Sequence, residues 1–110
     1  MEILTKLEEL VLLAVLRLDE EAYGIAIYKH IIRLTGNEVA VSSVYFPLQR
    51  LVRRGLLDTY TGRSTAKRGG MRKTFYKITP KGVASLKENR ALSDKAWMGI
   101  PSLIADMNRV

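Results

Sequence analysis

The segment TKLEELVLLAVLRL, residues 5–18, constrains the fold more than any other stretch of the chain. Thr5 followed three positions later by Glu8 is a capping box, in which each side chain satisfies a backbone N–H that the first helical turn leaves over. Leu7, Leu10, Val11, Ala14 and Leu18 then recur at helical spacing. Leu12, Leu13, Val15 and Leu16 fill much of the remaining circumference. A helix that is apolar nearly all round has to be covered on both sides. A chain of 110 residues is one domain, large enough to build a core. It is small enough that a partner subunit is the natural source of the second cover.

The rest of the chain supplies two more helices, two strands and a last helix. DEE at 19–21 reads as a solvated turn. A second helix is predicted from Ala22 to Thr35, with Ile25, Tyr28, Ile32 and Ile31 inward and Gly36 as its stop. A third starts at Ser42 or Ser43, both good N-caps, and runs to Arg54. Gly55 is its left-handed terminator, with Leu56 packing back on Leu51. LLDTYT (56–61) and TFYKI (74–78) are rich in Thr and aromatic residues and predict strands. About twelve residues separate them, too many for a tight hairpin turn. Thr79-Pro80 opens a final helix, with Thr as N-cap and Pro at the first position. That helix passes through Val83, Leu86 and Leu92 toward Trp97. Gly99-Ile100-Pro101 is expected to end it and leave a short apolar tail. The order of three helices and then a long-looped hairpin is that of a winged helix-turn-helix. The fold class is therefore α+β, mainly α, with a two-stranded wing: residues 1–80 form the winged module and residues 81–110 a C-terminal helix.

Charge is divided unevenly along this order. Residues 1–38 hold four Lys/Arg and seven Asp/Glu, net −3, whereas residues 50–81 hold ten Lys/Arg and one acid, Asp58, net +9. Such polarity within one domain points to a basic face for a polyanion. No apolar run approaches the roughly 18 residues of a membrane span, and an acidic residue at position 2 does not fit a cleavable leader. With no cysteine, disulfides and thiolate metal sites are excluded, and a cytoplasmic location is expected. A single histidine, His30, and no paired carboxylates leave no case for an enzyme, a metal or another cofactor.

At about 100° per residue, Val44, Leu48, Leu51 and Val52 share one side of the third helix, its core side. Ser42, Phe46, Gln49, Arg50 and Arg53 lie opposite. An α-helix suits the major groove of B-DNA, where Arg can bond guanine, Gln can pair with adenine, and an aromatic edge can touch a thymine methyl. Packing of Phe46 on a neighbouring element is the plainer alternative, and Arg53 and Arg54 also favour the C-terminal end of the helix dipole. Pro47 removes one helix hydrogen bond. In the long loop, Arg63, Lys67, Arg68, Arg72 and Lys73 surround Gly69-Gly70 with no acid among them. Glycine lets a backbone approach a ligand closely, and the cations suit phosphates or a narrow minor groove. The loop reads as the wing.

The segments LEELVLLAVLRL, AYGIAI, SSVYFPLQRLVRRGLL and RGGMRKTFYKITPKG, with a tryptophan in the short C-terminal helix, resemble the PadR family of bacterial transcriptional repressors along nearly the whole chain. That resemblance implies a homodimer binding palindromic operators in double-stranded DNA. It implies Ser42, Ser43 and Tyr45 at the start of the reading helix, Gly69, Gly70, Arg72 and Lys73 in the wing, and Tyr23 in the family's YG pair, where its hydroxyl could reach a phosphate; packing alone is the other role open to Tyr23. It further implies dimerisation of the C-terminal helix, through Leu86, Leu92 and Trp97, against Leu7, Leu10, Leu12, Leu13 and Leu16 of the partner's first helix. In some small members tryptophans of two subunits line an apolar pore that stacks planar drugs. This nominates Trp97, with Met98 as an adaptable neighbour, for a hydrophobic or aromatic effector; interface packing is the simpler role. Many members carry proline directly after the tyrosine, whereas here Phe46 intervenes. The rival function is a winged helix that binds protein or RNA without reading an operator. RNA would favour aromatic platforms for unstacked bases, and Tyr60, Phe75 and Tyr76 are the available ones.

Overall fold

The computed structural model describes residues 1–62 and 73–109. Its order is α1 (Lys6–Leu18), a 3-10 turn (Asp19–Glu21), α2 (Gly24–Thr35), α3 (Ser42–Arg53), β1 (Leu57–Thr61), β2 (Thr74–Ile78), α4 (Pro80–Trp97) and α5 (Ile100–Met107). The expected class holds: three helices, an antiparallel hairpin, and a C-terminal helical arm.

The capping box of α1 is present in both directions, with Thr5 N–H donating to Glu8 Oε1 at 2.9 Å and Glu8 N–H to Thr5 Oγ1 at 3.1 Å. Val11, Leu12, Ala14 and Val15 are buried against Ile27 and Ile31 of α2, Val44, Leu48 and Leu51 of α3, and Leu56 and Leu57. Leu12 therefore belongs to the core of its own protomer and is not available to a partner, which corrects the expected interface. Leu7 and Leu10 are half-buried on the same core, while Leu13 and Leu16 stay exposed.

Helix α2 starts at Gly24 rather than Ala22, because residues 22–23 have another task. The Ala22 carbonyl accepts from the Tyr76 N–H at 2.8 Å, and Tyr23 bridges Phe75, so this segment pairs along the edge of β2. Ile27 and Ile31 face the core, whereas Ile25, expected inward, is exposed and Ile32 is half-buried. Gly36 ends α2 at φ 71° as expected.

Helix α3 ends in a Schellman motif. Gly55 has φ 75°, its N–H donates to Val52 O at 3.0 Å, and the Leu56 N–H donates to Leu51 O at 2.9 Å. The start differs from expectation: Val41 is the N-cap and makes no side-chain cap bond, with Ser42 and Ser43 already helical. Pro47 lies inside α3 and is buried in the packed face.

β1 and β2 pair from Leu57↔Ile78 to Thr61↔Thr74, and the Gly62 N–H donates to Lys73 O at 2.9 Å where the long loop leaves the hairpin. Thr79 caps α4, accepting from Gly82 N–H at 3.0 Å, and its own hydroxyl donates to Gly55 O at 2.7 Å. Asn89, buried, fastens α4 to the chain start: its Oδ1 accepts from Leu4 N–H at 2.9 Å and its Nδ2 donates to Glu2 O at 3.2 Å. Gly99, at φ 78°, breaks the helix. The expected apolar tail is itself a helix, α5, because the left-handed glycine is followed by Pro101 in a first helical turn.

Candidate nucleic-acid interface

The outward ridge of α3 is built by phase. With Val44, Pro47, Leu48 and Leu51 buried, Ser42, Phe46, Gln49 and Arg53 are left exposed on the opposite side. Phe46 is 58% exposed, so no neighbouring element covers it in the protomer. Among the described residues no carboxylate pairs with Arg53.

Arg50 is exposed, as its phase requires. It lies on the flank of α3, and its Nε is 3.6 Å from Glu8 Oε2. Arg54 is structural: Nη1 donates to Glu8 Oε2 at 3.0 Å, Nε donates to Glu2 Oε2 at 2.8 Å, and its carbonyl accepts from Lys81 Nζ at 2.9 Å. Glu8, which makes these contacts, is buried. Burial alone would raise its pKa, but the hydrogen bonds with Thr5 and the charges of Arg54 and Arg50 hold it below the usual value. The hydrogen bond to Glu2 raises the Arg54 guanidinium further, against the opposing effect of burial.

On the other flank, the start of α3 meets α2 and the wing. The Tyr45 phenol packs over Gly24, where a Cβ would come within 2.6 Å of Cζ. That contact explains the glycine of the YG pair. Burial raises the pKa of Tyr76, with a smaller contribution from Tyr45. Lys73 Nζ sits 3.9 Å above the Tyr23 ring centroid, a cation–π contact, and the Tyr23 ring meets Phe75 at a tilt of 55° with centroids 5.7 Å apart, while Phe75 in turn lies 5.4 Å from Tyr60. An open cavity of about 420 Å³ is lined by Tyr23, Lys29, Tyr45 and Lys73 among others. A second, of about 350 Å³, joins Gln49, Val52 and Arg53 to Thr59 and Tyr76. Helix α3 and the base of the hairpin therefore line both cavities, with Tyr76 common to the two. Lys29 was not expected here; nothing in its local sequence separates it from an ordinary solvated lysine. Arg63, Lys67, Arg68, Gly69, Gly70 and Arg72, the expected wing tip, lie outside the described residues.

Away from this face, an apolar groove of about 440 Å³ runs between α1 and α4, lined by Leu13, Leu86 and Ala91 and rimmed by Glu9, Lys87, Arg90 and Asp94. Leu92 is half-buried; Trp97 and Met98 are 59% and 80% exposed at the end of α4, and Leu103, Ile104 and Met107 are exposed on α5. Among the described residues no His/Cys/Asp/Glu group could hold a metal, and no helix is long and apolar enough to cross a membrane.

A core trihelical unit, an outward third helix and a hairpin beside it define a winged-helix DNA-binding module. The family model described as the transcriptional regulator PadR-like family matches residues 12–88, and the chain belongs to that family, one of transcription regulators and not of enzymes. Solved structures share the fold. A PadR family regulator from Eggerthella lenta is 27% identical, with a TM-score of 0.67 over 86% of this chain and 80% of that one. A PadR-like transcription factor from Bacteroides fragilis is 26% identical, with a TM-score of 0.64 over 92% and 88%. A PadR family regulator from Clostridium difficile is 20% identical, with a TM-score of 0.65 over 94% and 98%. No curated protein matches the chain.

Proposed function

We propose that the protein is a cytoplasmic repressor that binds a palindromic operator in double-stranded DNA as a homodimer. Residues 1–80 are the DNA-binding module and residues 81–110 the dimerisation arm. The observation that carries this reading is the uncovered ridge of Ser42, Phe46, Gln49 and Arg53 beside the basic base of the wing. A solvated Phe46 has a favourable place against a thymine methyl, and Gln49 and Arg53 carry the donors that base edges in the major groove accept. Ser43 and Tyr45 hold the start of α3 near the backbone. Tyr23, Lys73 and the wing residues Lys67, Arg68, Gly69, Gly70 and Arg72 supply phosphate contacts, which give affinity and register rather than sequence choice. A protein- or RNA-binding role would not call for both a basic wing and a polar reading ridge.

Binding to a duplex from the protein's own promoter and to a scrambled duplex separates these roles. Gln49→Ala is expected to cost roughly 1–3 kcal/mol on the promoter duplex and little on the scrambled one, whereas Lys73→Ala weakens both alike and lowers the salt slope by about one. Uniform weakening by Gln49→Ala would make it a phosphate contact.

The effector reading rests on Trp97 and Met98, which end α4 exposed. Planar cationic dyes are expected to quench Trp97 fluorescence; unchanged emission would leave Trp97 as an interface residue.

A further inference from the structure

Glu8 is 3% exposed, yet its charge is not what the capping box requires. That motif needs one side-chain oxygen at the third helical position, and glutamine supplies it as well as glutamate. Arg54 does not depend on Glu8 alone either, since Glu2 also binds it. What the Glu8 carboxylate provides without a substitute among the described residues is a counter-charge for Arg50, 3.6 Å away. Arg50 follows Phe46 by one turn and precedes Arg54 by one, so it stands between the outward ridge and the core flank. Its side chain is 45% exposed against 4% for that of Glu8. One end of this pair is anchored in the protein, where salt screens it weakly, and the other borders the DNA-facing ridge.

Resting on the DNA-binding reading, we infer that Glu8 is a positioning residue that holds the Arg50 guanidinium against α1. It thereby limits the cations α3 presents to DNA and favours sequence choice over raw affinity. Phosphate contacts strengthen binding to every sequence. A guanidinium released from Glu8 reaches the backbone beside the ridge and adds one such contact.

The experiment compares wild type, E8Q, R50Q and the double variant by fluorescence anisotropy on the promoter duplex and on a scrambled duplex, from about 50 to 200 mM KCl. Thermal melts confirm that each variant is folded, and glutamine at position 8 keeps the cap. E8Q is expected to bind the scrambled duplex several-fold more tightly, to steepen the log–log salt slope by about one, and to narrow the promoter-to-scrambled ratio. The double variant is expected to return to the wild-type slope. A folded E8Q with a wild-type slope overturns the inference, as does tighter binding that survives in the double variant. R50Q decides the matter even if E8Q does not fold. It should leave the wild-type slope in place, and a slope shallower by about one would show Arg50 already on a phosphate. A wild type indifferent to both duplexes defeats the DNA-binding reading and this inference together, whereas wild-type binding with an unchanged E8Q slope defeats only the role of Glu8.

Discussion

A Cβ placed on Gly24 would overlap the Tyr45 phenol, so one missing methyl lets α3 start where it does. Gly24→Ala is expected to destabilise the fold by roughly 1–3 kcal/mol, as overpacking of a close contact does, and to lower the denaturation midpoint; a wild-type midpoint would mean that Tyr45 can move aside. Glu8 carries a pH signature as well. Its carboxyl is held below its ordinary value of 4.5 in the folded chain, so the unfolded chain binds a proton first. The stability it contributes is complete above that value and is lost as pH falls through the lower, folded one. Acid unfolding curves are expected to show a shallower loss below about pH 4.5 for E8Q than for wild type; parallel curves would contradict this. The capping role of Glu8 was legible in its spacing from Thr5. Its burial was not, because Arg50 and Arg54 approach from 42 and more positions along the chain. Phe46 was legible as outward, since the phase of Val44, Leu48 and Leu51 leaves it no other place.

Element by element, the ends marked by glycine or proline were the most legible. Gly36, Gly55 and Thr79-Pro80 terminate or start helices as their local chemistry dictates. The Thr79 cap is expected to contribute about 1 kcal/mol, measurable as the loss in Thr79→Ala under chemical denaturation; an unchanged stability would show that Pro80 and the Gly55 contact suffice. The inward face of α2 was not legible. Ile25, Ile27, Ile31, Ile32 and Leu34 offer two apolar phases, and the choice falls to the pairing of Ala22 and Tyr23 with β2, a tertiary event. The start of α3 likewise departs from cap preference, because Val41 already adopts helical angles. Gly99 marks a break correctly, but a glycine followed by proline can begin a helix as well as end one, and α5 follows.

The whole molecule measures 64 × 29 × 20 Å, with a radius of gyration of 17.2 Å, where a compact chain of this length would have about 13 Å. The excess comes from α4 and α5, which leave the winged unit with apolar residues uncovered. The second cover that the first helix calls for is reduced to Leu13 and Leu16, since Leu12 and Val15 turn inward. A homodimer that reads two half-sites is expected to hold its α3 helices about one DNA turn, roughly 34–36 Å, apart. Leu13→Glu combined with Leu16→Glu is expected to give monomers by light scattering that melt cooperatively but bind duplex far more weakly; a stable dimer would move the interface elsewhere. The most direct measurement is the affinity of the wild-type protein for its own promoter duplex as salt is raised, with stoichiometry read in the same titration. Two chains per duplex and a log–log decline spanning several phosphate contacts are expected. Failure to bind duplex even at low ionic strength would contradict the reading of this face as a DNA-binding surface.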